Sequence, residues 1–413
     1  MKDSKLLKKI VIGLSAIGPG LFLIGYNIGT GSVTTMAKVG AEHGMALTWA
    51  LVLSCIFTYI LMVAYGKTTL VTGKTALFNI KTNFTYGKVL AIYIIIALVI
   101  GEILALMGIF GIVADLLKEG SRLLAGGPGF STFWITFVLV VALYALLWKG
   151  YYKTFEKILT FFVILMALSF ITVFFMVKPS ISTIISGLVP SIPDQPGSFR
   201  LIAAMAGTTC SAAVFIMRST VVAEKGWTIN NLKNEKNDAA VSASMMFFLS
   251  LIIMAVSAGT LHIMGMNLTN TVEMISLFEP IGGKVAAFIL ILGIVGAGIS
   301  TIFPIILIAP WLISDYTGKK RNIHSPMYRI LGLIGILFGF GMQLIDTTPP
   351  LLMVFSQAFQ ALILPAVAIS GLILINRKSL MNEYRAGKML NLGLIGVVLF
   401  SLITAYLAIV AFL

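Results

Sequence analysis

The sequence predicts an all-α polytopic membrane protein, and three observations carry that prediction. Of 413 residues, 59% are hydrophobic and 11% are charged, with a mean hydropathy of +1.03. The apolar residues gather into runs near the roughly 20 residues that a helix needs to cross a bilayer. Two of those runs, five apart, are interrupted by small and polar residues.

Eleven apolar runs can be placed, at about 10–40, 44–66, 88–114, 130–148, 154–177, 199–223, 238–264, 284–314, 327–345, 351–376 and 389–412. The start, MKDSKLLKKIVIGL, imitates a signal peptide, but its apolar run continues past any small-residue cleavage site and reads as a retained first span. No linker, low-complexity tract or soluble domain separates the runs. A single transmembrane domain over 1–413 is therefore expected, divided into a first repeat (1–177, spans 1–5), an inverted repeat (199–376, spans 6–10) and an extra span (389–412).

The formal net charge is +14. In a soluble chain that would point to nucleic acid. Here the charges sit between apolar runs, so the partner is the lipid bilayer and the bias sets orientation. With the N-terminus cytoplasmic, only Lys38, Lys118, Arg122, Lys178, Arg200 and Lys284 fall outside, leaving 23 of the 29 basic residues within. Eleven spans then place the C-terminus outside, in a multi-pass protein of the plasma membrane. Cys55 and Cys210 lie in separate runs with no metal-ligand spacing, so neither a disulfide scaffold nor a zinc site is expected. No motif calls for a cofactor. No intramembrane His/Glu set or Ser/Lys pair supports an enzyme.

The first interrupted run is AIGPGLFLIGYNIGTGSVTTM, residues 16–36. Gly29 and Gly31 leave the backbone free of side-chain restraint, and Asn27, Thr30 and Ser32 surround them with polar groups. Unwound backbone at membrane depth survives only where protein buries it or it lines a wet cavity. The second is the sixth run, whose middle reads Gly207-Thr208-Thr209-Cys210-Ser211. Small residues also serve close helix packing. Two irregular spans at matching places in two five-span halves instead fit an inverted-topology secondary transporter with broken helices 1 and 6.

The stretch SAIGPGLFLIGYNIGTGS, followed by Gly40-Ala41-Glu42-His43-Gly44, is similar to the first two spans of the Nramp family of metal-ion transporters. The run Gly293 to Thr301 resembles that family's eighth helix. Phe355-Ser356-Gln357 with Leu364-Pro365 resembles its Ser-Gln…Leu-Pro pattern in the tenth. The resemblance implies the family's eleven-span fold and metal-ion transport by alternating access. The departures are specific. The family's Asp-Pro-Gly-Asn falls on Gly29, Thr30, Gly31 and Ser32, and its Met-Pro-His on about Ser211, Ala212 and Ala213, so the metal-binding aspartate and methionine are missing. Glu102 matches the first acidic residue of the family's third span, while the later acidic positions fall near Ile109 and Ile112.

The candidate substrate site therefore comprises Asn27, Gly29, Thr30, Gly31, Ser32, Thr208, Thr209, Cys210, Ser211 and Gln357, with Glu102 as a proton or ion relay. Transition metals favour thiolate, thioether, imidazole or carboxylate ligands, which the two breaks lack apart from Cys210. A half-helix starting near Ser32 presents amide donors that suit an anion. Two cargoes stay open: a metal ion, with proton symport through Glu102, or an amino acid or small organic anion. Arg218 reads as a snorkelling residue and Asp238 as a helix N-cap.

Overall fold

In the computed structural model, residues 29–149, 152–278 and 283–413 are described. The inner part of the first run, including Asn27, lies outside them. The helices are α1 (Thr30–His43), α2 (Thr48–Thr72), α3 (Ala76–Asn83), α4 (Gly87–Ala125), α5 (Thr132–Lys149), α6 (Tyr152–Val177), α7 (Ile181–Ser186), α8 (Ser198–Thr209), α9 (Ala212–Glu224) and α10 (Leu232–Ala258). The second half of the chain adds α11 (Gly283–Ile306), α12 (Ile308–Thr317), α13 (Pro326–Leu337), α14 (Pro349–Ala361), α15 (Leu364–Asn376) and α16 (Lys388–Phe412). No β-strand occurs among the described residues. Nine helical stretches among them are long and apolar enough to cross a membrane.

Local chemistry sets the boundaries. α2 stops at Gly73, which adopts the left-handed conformation (φ 63°, ψ 11°) and returns its N–H to Thr69 O at 2.8 Å. α4 has 39 residues, about 58 Å at 1.5 Å per residue, so it outruns a hydrocarbon core of about 30 Å. The sixth run is broken where expected: α8 ends at Thr209, Cys210 (φ −101°, ψ 49°) and Ser211 (φ −67°, ψ 128°) leave the helix, and α9 begins at Ala212.

Two further interruptions were not expected. Pro304 removes a backbone donor, and the eighth run bends into a tight turn at Leu307, whose N–H bonds Pro304 O at 3.2 Å, before α12. The tenth run breaks at Leu362 and Ile363, and Pro365 opens α15, where its missing N–H has no partner to lose.

Burial separates centre from rim. In the α8–α9 span 89% of the most apolar window is buried inside the protein, against 22% in α5. The broken span is therefore the central post and α5 faces lipid. α8 lies hard against α14 at Gly207: a Cβ there would sit 1.8 Å from Gln357 O, so only glycine permits this approach.

The charged residues of this centre correct two expectations. Arg218 does not snorkel; it is fully buried. Its Nε and Nη2 donate to the two carboxylate oxygens of Glu235 at 2.9 and 2.8 Å, and Nη1 donates to Asp238. Asp238 is accordingly not an N-cap. It lies inside α10, which starts six residues earlier, and pins that helix to α9.

Candidate substrate site

The helix α1 starts at Thr30, behind an extended Gly29 (φ −89°, ψ −172°). The first turn of α1 meets the last turn of α8, so a positive and a negative helix end lie close together there. Ser32 Oγ and Thr208 Oγ1 join the two helices by a 2.9 Å hydrogen bond. At the break itself Thr58 of α2 donates to Thr209 O at 2.9 Å, which satisfies one carbonyl that the helix no longer uses.

Between these ends lies a cavity of about 30 Å³, little more than the room of one water molecule. Gly29, Gly31 and Ser32 line it from the start of α1, and Thr208 and Ser211 from the broken sixth span. A Cβ on Gly29 would sit 2.2 Å from Thr301 Oγ1, so this glycine lets α1 and α11 close the cavity on one side. Glu102 of α4 enters from another side and is 3% exposed. Its Oε1 accepts from Gln360 Nε2 at 3.1 Å, and Gln360 Oε1 accepts from Ser211 Oγ at 2.9 Å. The carboxylate thus sits in a relay of neutral donors that runs from α4 through α14 to the break in the sixth span.

The sequence-selected residues divide. Gly29, Gly31, Ser32, Thr208, Ser211, Gln357 and Glu102 meet at one cavity. Thr30 does not line it: a Cβ on Gly298 of α11 would lie 3.0 Å from Thr30 Oγ1, which places that hydroxyl against the neighbouring helix. Thr209 contributes its carbonyl to Thr58 rather than a side chain to the cavity, and Cys210 is wholly buried beside it. Sequence reasoning missed Gln360, Met353 and Thr301, which also line the space. Two of them had a signal. Met353, Gln357 and Gln360 stand at i, i+4 and i+7 on α14, one face of a helix.

As chemistry, the described residues of the lining offer one carboxyl group, one thioether, two amides and several hydroxyls. Among the described residues no group of three or more His, Cys, Asp or Glu gathers to hold a metal. A carboxyl group beside hydroxyl and amide oxygens and a soft sulfur is a donor set of the kind that a cation uses. A carboxylate-bearing solute would meet Glu102 in a space too small for it.

Fold and site together define a polytopic membrane protein of the broken-helix transporter class. Residues 20–411 match the model of the natural resistance-associated macrophage protein-like proteins, and the chain belongs to that Nramp family. It is 27% identical over 301 residues to the divalent metal cation transporter MntH of Yersinia enterocolitica, covering 70% of each chain. It is 24% identical over 321 residues to the protein of the same name from Erwinia tasmaniensis, covering 73% of each. Among solved structures, the Eremococcus coleocola manganese transporter superposes with a TM-score of 0.71 at 14% identity, over 96% of this chain and 86% of that one. MhsT, solved in complex with L-phenylalanine, superposes at 0.57 and 15% identity, over 96% and 98%. These structural likenesses establish the shared fold.

Proposed function

We propose that this protein carries a divalent metal ion across the plasma membrane by alternating access, seating it in the cavity between the start of α1 and the break of span 6. Family membership and the metal cation transporters among its relatives support the cargo. The observation that carries the site is Glu102, the one ionisable side chain among the described residues lining that cavity. The binding charge then comes from span 3 rather than from span 1, whose matching position is Gly29. Met353 supplies the only sulfur among the described lining residues and takes the place of a thioether on span 6, where Ser211 stands. Gln357, Gln360 and the hydroxyls of Ser32 and Thr208 add neutral oxygens, which suffice only if the ion keeps part of its water shell.

In this reading the chain has eleven spans arranged as two inverted halves of five and one extra, with the N-terminus cytoplasmic. One group of helices rocks about the central α8–α9 post. A proton exchanges with the cargo at Glu102, because a carboxylate that releases a metal in a dry site takes up a proton most readily. The organic-anion reading is not favoured, since the cavity presents a carboxylate.

Uptake of Mn²⁺ into proteoliposomes containing the full chain tests the proposal. Glu102→Gln keeps the shape and the contact to Gln360 but removes the charge. Uptake should fall at least ~10-fold, the equivalent of about 1.4 kcal/mol of lost binding. Undiminished Mn²⁺ uptake in this variant would place the cargo elsewhere.

A further inference from the structure

Away from the cargo site, α5 and α13 leave an open apolar groove of about 380 Å³, walled by Val140, Val141, Tyr144 and Leu333. Two cations stand at its Trp148 wall. Lys149, the last residue of α5, lines the groove itself. Arg329, in the first turn of α13, stacks over the Trp148 ring with its guanidinium carbon 3.9 Å from the centroid. Neither forms an ion pair among the described residues, and the Nε of Arg329 has no hydrogen-bond partner there.

The helix end adds to this. α13 starts at Pro326, and its N-cap Ser325 makes no side-chain cap hydrogen bond and keeps a buried, unpartnered Oγ. A helix N-terminus with free amides favours an anion. The basic wall of the groove is therefore built for negative charge and its body for hydrocarbon. A soluble anion would use only the first part; an apolar peptide would use only the second.

We infer that this groove is a binding site for an anionic phospholipid, its acyl chain laid between α5 and α13 and its phosphate held by Lys149 and Arg329. Charge complementarity commits the occupant. Half of Trp148 is exposed (51%) beside the two cations, the position in which an amphipathic ring marks the membrane–water boundary. Basic pockets between spanning helices on the cytoplasmic side are where acidic headgroups bind, and both residues lie on the side that the charge bias assigns to the cytoplasm. The cation–π contact fixes the guanidinium plane against the aromatic face, leaving it poised for a phosphate.

The test uses the whole purified chain in detergent, with phosphatidylglycerol as the probe. Native mass spectrometry counts phosphatidylglycerol retained against a phosphatidylcholine excess, in wild type and in the double variant Lys149→Gln/Arg329→Gln. Wild type should retain at least one anionic lipid that the variant loses, with unchanged phosphatidylcholine retention. Thermal unfolding should show a phosphatidylglycerol-dependent shift in wild type alone. A third arm adds soluble glycerol 3-phosphate, which should give no shift. Equal phosphatidylglycerol retention in both proteins overturns the inference. A full shift from glycerol 3-phosphate overturns it too, as the site would then be one for small anions.

Discussion

Two carboxylate networks lie in the middle of this molecule, and they are finished in opposite ways. Glu235 and Asp238 converge on Arg218, which takes both oxygens of the first and one of the second. Glu102 is met by the amide of Gln360 and borders a cavity. A guanidinium brings a charge of its own to its partners, whereas an amide brings none. The first network is consequently a clamp between α9 and α10, and the second lines the space in which we propose the cargo sits. Buried acids in a membrane protein are therefore sorted by what faces them, not by depth alone.

The comparison breaks most visibly at Arg218. Replacing it with leucine leaves two carboxylates buried with no cation between them, a loss of about 3–5 kcal/mol. Thermal unfolding in detergent should show a large drop in midpoint and a poor yield of folded protein. Adding Glu235→Gln and Asp238→Asn should restore much of it, because the penalty is charge rather than shape. Glu102→Gln, by contrast, should move stability by less than about 1.5 kcal/mol while lowering uptake at least ~10-fold, since an amide of the same shape replaces the carboxyl group and no buried cation loses its partner. Equal destabilisation at the two sites would erase the distinction.

A steric version of the same comparison lies at Gly207. Gly207→Ala would drive a Cβ into the backbone oxygen of Gln357, an overlap that no rotamer relieves. The expected loss is about 1–3 kcal/mol, and α14 would be pushed outward with Gln357 and Gln360. Mn²⁺ affinity should fall together with the unfolding midpoint. Affinity unchanged in a folded Gly207→Ala variant would separate the packing of α8 on α14 from the site.

These two networks also mark what a sequence can and cannot disclose. The helical membrane class follows from composition, and the break at Cys210–Ser211 follows from its small polar residues, because a local loss of helix propensity needs only local information. Residue types at the breaks were legible for the same reason. Facing was not. Thr30 and Ser32 are two positions apart on α1, yet only Ser32 meets the cavity, since a helix turns about 200° between them. The partners of Arg218 lie 17 and 20 residues onward on another helix; their meeting depends on how α9 and α10 are rotated, which no period in the chain records. The bends after Pro304 and before Pro365 had visible prolines, but proline in a spanning helix can be accommodated without a break.

Met353 offers the finest cut between a site and a clamp, because its sulfur is the one soft donor among the described residues of the cavity lining. In sequence it reads as an ordinary apolar residue of α14. In the structure it lines the cavity, and the Cβ that Gly31 lacks would fall 2.7 Å from its methyl carbon. Met353→Leu is nearly isosteric and should cost less than about 1.5 kcal/mol of stability. It removes the soft donor and leaves every oxygen in place. Competition against Mn²⁺ uptake then reads the result: Cd²⁺ should become a several-fold weaker competitor, while Mg²⁺ competes as before or better. If Cd²⁺ competes equally well in the variant, the thioether serves as packing, and selectivity rests on Glu102 and the neutral oxygens alone.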